Sequence, residues 1–210
     1  LVEPIQAEAG ILVPPQGYLA AARRWCRERN VLFMLDEIQT GLGRTGKMFA
    51  YEHEAGAAPD VLVLGKALGG GVYPVSAVLA SRALMTLFQP GAHGSTFGGN
   101  PLASAVGRAA LGVLVDERLA ARAAELGDYL FAALRGLRAP CVKDIRGRGL
   151  LVGLEIAAGA GTARMFCERL MDRGVLAKDT HEQVIRLAPP LVVERSELDW
   201  LVEQLRAVLR

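Results

Sequence analysis

Lys66 and Asp36 are the two residues in this sequence best suited to do chemistry together. Each ends an apolar run, Val31-Leu32-Phe33-Met34-Leu35-Asp36 and Val61-Leu62-Val63-Leu64-Gly65-Lys66. An amine held against apolar surroundings loses solvation, its pKa falls, and it becomes a nucleophile toward carbonyl carbon. A carboxylate beside it can hold a protonated ring nitrogen. Arg186 is a third candidate, because it interrupts the apolar stretch Val184-Ile185-Arg186-Leu187-Ala188. A guanidinium there needs a carboxylate, supplied by the protein or by a substrate. Structural roles compete in each case: a lysine snorkelling to water, an aspartate capping a helix, an arginine in an internal salt bridge.

The elements that must position the pair are readable. Both runs are short, continuous in apolar residues and rich in β-branched side chains at the start, as buried strands are. The segment between them has the length of a βαβ crossover. A right-handed crossover lays the strands parallel, so Asp36 and Lys66 leave the same edge of the sheet, where open sheets bind ligands. A lysine for a Schiff base and an acid for a pyridinium are the two groups that pyridoxal 5'-phosphate (PLP) requires. The chain carries twenty arginines and only four lysines, which makes a lysine between apolar residues and glycines more notable.

Composition narrows the classes. Half the residues are apolar and the formal charge is +2, without the basic excess of a nucleic-acid-binding domain. No apolar run reaches membrane-spanning length. Cys26, Cys141 and Cys167 are few, odd in number and far apart, and read as thiols of a reducing compartment, hence a cytoplasmic enzyme. His53, His93 and His181 lack ligand spacing, so no metal is expected. Leu1-Val2-Glu3-Pro4-Ile5 reads as a strand already under way, as in a piece of a longer chain.

Along the chain, periodicity predicts a strand over 1–6, a helix over 18–29, strands ending at Asp36 and Lys66, and a strand over 75–80. A polar, glycine-rich loop spans 90–101. A long helical pattern runs from Leu102 to about Leu137, with a break near Asp116. After Pro140 the pattern becomes ββαββα, with strands over 142–146, 150–156, 175–177 and 184–187. A helix over 162–173 ends at Gly174, and Ser196 is expected to cap a last helix. The expected organisation is two domains, 1–137 and 138–210.

Two phosphate-binding motifs are matched only in letters. Gly41-Leu42-Gly43-Arg44-Thr45-Gly46 fits GxGxxG, but four residues separate it from the strand, where a dinucleotide turn requires immediate succession. Gly41 to Lys47 fits the start of a P-loop, but Met48 stands where a Mg²⁺-binding hydroxyl belongs. Backbone freedom around a ligand or a subunit contact is the better expectation for these glycines.

Three ordered motifs, Leu35-Asp36-Glu37-Ile38-Gln39-Thr40-Gly41 with Gly43-Arg44-Thr45-Gly46, Leu64-Gly65-Lys66-Ala67-Leu68, and His93-Gly94-Ser95-Thr96-Phe97-Gly98-Gly99-Asn100-Pro101, resemble the class-III PLP-dependent aminotransferases. The resemblance continues through Val2 to Gly10 and Arg186 to Leu191. Within the family, Gly71 to Leu79 and Leu176 to His181 are most similar to the ornithine aminotransferases. The resemblance implies PLP-transferase fold type I, an α/β architecture comprising part of the large parallel-sheet domain and a small C-terminal α/β domain. It implies PLP bound to Lys66 as a Schiff base, with Lys66 then shuttling a proton between substrate carbon and cofactor. Asp36 is implied to keep the pyridine nitrogen protonated, and Gln39 to hydrogen-bond the phenolic oxygen. Thr96, with Ser95 beside it, is implied to bind the phosphate, typically across a dimer interface. Arg186 is implied to bind the α-carboxylate of 2-oxoglutarate or glutamate, with Glu8 pairing to it while ornithine occupies the site. Glu3 is implied to add a hydrogen bond near the cofactor.

Two departures, Ala7 where the family usually has glycine and Asp179 where ornithine aminotransferases often have proline, fall in loops. The resemblance covers about the C-terminal half of the family's length. The family's phosphate-binding turn, the aromatic stacked on the pyridine and the residues gripping ornithine lie outside it. The expected activity is ornithine δ-transamination by a homodimer acting on small molecules, without nucleic acid or membrane partners. The alternatives are an acetylornithine or other ω-amino-acid aminotransferase, and a non-catalytic assembly module.

Overall fold

The computed structural model describes residues 1–209. Helix α1 (Tyr18–Glu28) buries Leu19, turns Arg24 and Arg27 outward and ties Arg23 to Asp60. Its end consumes part of the expected strand, because the Val31 N–H donates to the Cys26 carbonyl at 2.9 Å. Strand β1 is therefore only Met34–Asp36. The expected strand over 1–6 reduces to a bridge in which Val2 pairs with Leu35 in parallel. Pro4 lacks an N–H and ends that pairing.

Strand β2 (Val61–Leu64) lies parallel to β1, with Asp36 opposite Val63. The crossover between them contains no α-helix; it is a folded loop with a 3₁₀ turn at Ala50–His53. Strand β3 (Ala77–Ala80), shorter than predicted, closes the sheet antiparallel to β2. A one-turn helix α2 (Arg82–Met85) leads to the glycine-rich loop. Asn100 then caps helix α3 (Pro101–Asp116) by accepting the Ala103 N–H at 2.9 Å. The break falls where predicted: Arg118 adopts a left-handed φ of 51° before helix α4 (Leu119–Gly136).

The second sheet has the order β4-β5-β7-β6 and is antiparallel throughout. Its strands are β4 (Val142–Arg148), β5 (Leu151–Ile156), β6 (Lys178–Thr180) and β7 (Val184–Leu187). Thr162 caps helix α5 (Ala163–Met171). The strand predicted over 175–177 starts later, because the Val175 N–H still bonds back to Leu170 at 2.9 Å. Helix α6 (Arg195–Val208) is capped by Glu194, not Ser196: the Glu194 N–H donates to the Glu197 carboxylate at 2.7 Å. Among the described residues no helix is long and apolar enough to cross a membrane.

Two cores result. One gathers Leu19, Phe33, Leu35, Leu62 and Leu64 around the first sheet. The other gathers Leu130, Leu134, Leu154, Phe166 and Leu205 around the second. Leu119 at the start of α4 joins the first core and the rest of its buried face, from Ala123 to Leu134, joins the second, so this helix carries the chain from one unit to the other.

The units meet backbone to backbone. A Cβ on Gly127 of α4 would lie 2.5 Å from the backbone of Gly149, in the turn between β4 and β5. A Cβ on Gly149 would lie 2.5 Å from the carbonyl carbon of Thr45. Gly46, at φ 91°, packs on Ala124. The glycines at 43 and 46 thus serve close packing against α4. Gly127→Ala is expected to destabilise the protein by about 1–3 kcal/mol despite the higher helix propensity of alanine. Urea unfolding checks this, and unchanged stability would show that the helix and turn can separate.

Candidate active site

The parallel register brings the strand ends together. The Glu37 N–H donates to the Val63 carbonyl at 2.9 Å, and a Cβ on Gly65 would lie 3.3 Å from Ile38. Lys66 follows Gly65 at a left-handed φ of 41°, a conformation that costs energy in a residue with a Cβ. The Leu68 N–H closes this turn on the Gly65 carbonyl at 3.0 Å. Its amine opens to a cleft of about 900 Å³ floored by α3 residues such as Val106 and Ala110. Partial desolvation is the main force lowering the Lys66 pKa; Glu8, Asp36 and Glu3 oppose it, and Arg186 reinforces it. Asp36 accepts the Ile38 N–H on Oδ1 at 3.0 Å.

Glu8 and Arg186 form the charged centre of the site. Arg186 Nη1 donates to Glu8 Oε1 at 2.6 Å and to Gln39 Oε1 at 3.2 Å. The Gln39 amide closes the triangle by donating to Glu8 Oε1 at 3.2 Å. Lys178 Nζ donates to the second oxygen of Glu8 at 3.4 Å. The Arg186 hydrogen bond is the largest cause holding the Glu8 pKa at about 2. Its carboxylate is therefore ionised near neutral pH, where it neutralises Arg186. Glu3 accepts the Ala7 N–H at 3.1 Å and supports the turn that carries Glu8.

Two further residues hold the site's frame, and reading the sequence did not single them out. Glu37 is completely buried. It accepts the Ala50 N–H at 2.6 Å, the Tyr51 N–H at 2.9 Å and the Thr40 hydroxyl at 3.2 Å. Desolvation raises its pKa, and these donors act against the rise. Arg44 reaches across the units to the carbonyls of Leu150 at 3.2 Å and Pro189 at 2.5 Å. Burial lowers its pKa to about 10. A charged residue directly after a strand-ending Asp, and an arginine inside a glycine loop, were the available signals. Neither type distinguishes an internal tie from a solvated charge.

Ser95 and Thr96 are not brought to the cleft. They lie on an exposed loop, where Ser95 Oγ accepts the Gly98 N–H at 3.0 Å. The groups that do converge fit PLP: an amine of lowered basicity, a carboxylate near enough to act on its charge, and the Gln39 amide lining the same cleft. Arg186 adds a carboxylate receptor.

The two sheets, the parallel pair and the lysine at its edge define a PLP-transferase fold. The sequence matches the family Aminotransferase class-III over residues 1–209, and the chain belongs to that PLP-dependent family. Ornithine aminotransferase of Bacillus subtilis is 54% identical over 210 residues, covering all of this chain and 51% of the relative. The structure of ornithine aminotransferase from Toxoplasma gondii superposes with a TM-score of 0.94 at 45% identity, over 99% of this chain and 49% of that one. Acetylornithine aminotransferase from Elizabethkingia anophelis superposes at 0.93 with 47% identity, over 99% and 55%. The chain thus spans about half the length of the relatives it matches.

Proposed function

We propose that these residues serve an ornithine δ-aminotransferase, converting ornithine and 2-oxoglutarate to glutamate 5-semialdehyde and glutamate. The observation that carries the reading is the closed Glu8–Arg186 pair, 2.6 Å long, beside Lys66. An unpaired arginine there would draw every α-carboxylate toward the reacting centre and select α-amino acids. Closed by Glu8, the same arginine is neutralised, and a terminal amine with no adjacent carboxylate can approach Lys66. In the second half-reaction the α-carboxylate of 2-oxoglutarate displaces Glu8 and forms the bidentate pair that a guanidinium favours.

Bound PLP supplies the electron sink that stabilises negative charge at the substrate carbon. Lys66, with its lowered pKa, anchors the cofactor and carries the proton to and from that carbon. Asp36 would hold the ring nitrogen in its protonated form. Gln39 orients Arg186 and would hydrogen-bond the cofactor's phenolic oxygen. Ser95 and Thr96 act on the phosphate held by a second copy, so we read the active form as a homodimer; their exposed loop supports this. The sequence divides at 137/138 into the large-domain part and the small C-terminal domain, with α4 as the connecting helix.

Acetylornithine aminotransferase is the second reading, supported by the 47% identity to the Elizabethkingia enzyme. Glu8→Gln tests the preference for a terminal amine that both readings share. Losing a charge-assisted bond worth about 1.5–3 kcal/mol should reduce kcat/KM for ornithine by about 10- to 100-fold, while glutamate is used as well or better. Steady-state kinetics of the holoenzyme with each donor reads this out. A parent enzyme that prefers N-acetylornithine to ornithine would overturn the substrate assignment.

A further inference from the structure

We infer that Lys178 is a positioning residue for substrate exchange: it receives the Glu8 carboxylate when a substrate carboxylate takes Arg186. The inference deepens the functional reading above and rests on it. Lys178 and Arg186 are directly opposite in the antiparallel pair β6/β7, so both side chains leave the same face of the sheet. Two cations facing each other across strands repel unless an anion lies between them. Glu8 is that anion, with Oε1 on Arg186 at 2.6 Å and Oε2 on Lys178 at 3.4 Å.

The backbone under Glu8 does not need to move. The Thr180 hydroxyl donates to the Glu8 carbonyl, and the Ile11 N–H closes the Ala7 turn at 3.3 Å. Exchange therefore proceeds by side-chain rotation. The two cations also differ in depth: the Arg186 side chain is 16% exposed and that of Lys178 is 61% exposed. Rotation onto Lys178 carries the carboxylate outward toward water, away from the recessed position that the substrate carboxylate enters. Without Lys178, Glu8 leaves Arg186 with no counter-charge, and opening the pair becomes harder.

Single-turnover kinetics of the two half-reactions, run separately on the PLP-loaded full enzyme, test this. Lys178→Gln is expected to raise the apparent dissociation constant for 2-oxoglutarate by about two- to five-fold, the range of an exposed ion pair, with a smaller change for ornithine. Lys178→Glu should enlarge the asymmetry, and Lys178→Arg should restore the parent ratio. The effect should shrink with added salt. Equal shifts in both half-reactions, or an arginine variant no better than glutamine, would overturn the role while leaving ornithine as the substrate. A parent enzyme that does not turn over ornithine would overturn the functional reading and this inference with it.

Discussion

Replacing Lys66 with alanine is expected to reduce transamination by at least about 10²–10⁴-fold, the contribution of a positioned proton-transfer group alone. The anchor for the cofactor is lost as well, so the true fall is larger. No neighbour can substitute. Lys178 and Arg186 are both committed to Glu8. Absorbance of the PLP-loaded enzyme checks the anchoring role: the shift that PLP shows on linkage to an amine should vanish in Lys66→Ala. Single-turnover rates with ornithine check the proton role. A variant that keeps its absorbance shift and its turnover would move the reactive amine elsewhere.

Arg186→Ala is expected to raise KM for 2-oxoglutarate by about 100-fold, because a two-bond contact to a carboxylate is worth roughly 3 kcal/mol. The ornithine half-reaction should suffer less, since Glu8 keeps its bond to Lys178 and remains an anion near the cleft. Arg186→Lys should recover only part of the loss, because an ammonium offers a point charge in place of a planar fork. Steady-state KM values for both substrates read the asymmetry. Equal losses for ornithine and 2-oxoglutarate would mean that Arg186 holds the fold, as its bond to Gln39 also permits.

Much of this site was legible in the sequence because it depends on short-range rules. The apolar runs ending in Asp36 and Lys66 fixed a parallel pair whose ends share an edge. Arg186 stood out as a charge among aliphatic residues, which is costly without a partner. Boundaries fared worse where a neighbouring hydrogen bond competes. The end of α1 took Val31 from β1, and the end of α5 took Val175 from β6. Glu194 displaced Ser196 as a cap because Glu197 reciprocates from the third helical position. Such contests are decided by a single N–H, and residue type does not foretell which acceptor wins.

The sequence by itself supplied the candidates: an amine, an acid and a guanidinium in apolar settings, each with a structural role competing with the chemical one. Family motifs carried by Asp36, Lys66 and Thr96 then supplied the class. Only the tertiary structure decided how the charges share one another. Glu8 and Arg186 lie 178 positions apart, yet their bond is the centre of the site. Gln39 joined that pair, and Lys178 entered it from the next strand. The glycines of the look-alike loop became a packing surface for α4. The physical reason is common to all three. Charge pairing and close packing depend on distances set by the whole fold, whereas strands and nucleophiles are written in neighbouring residues.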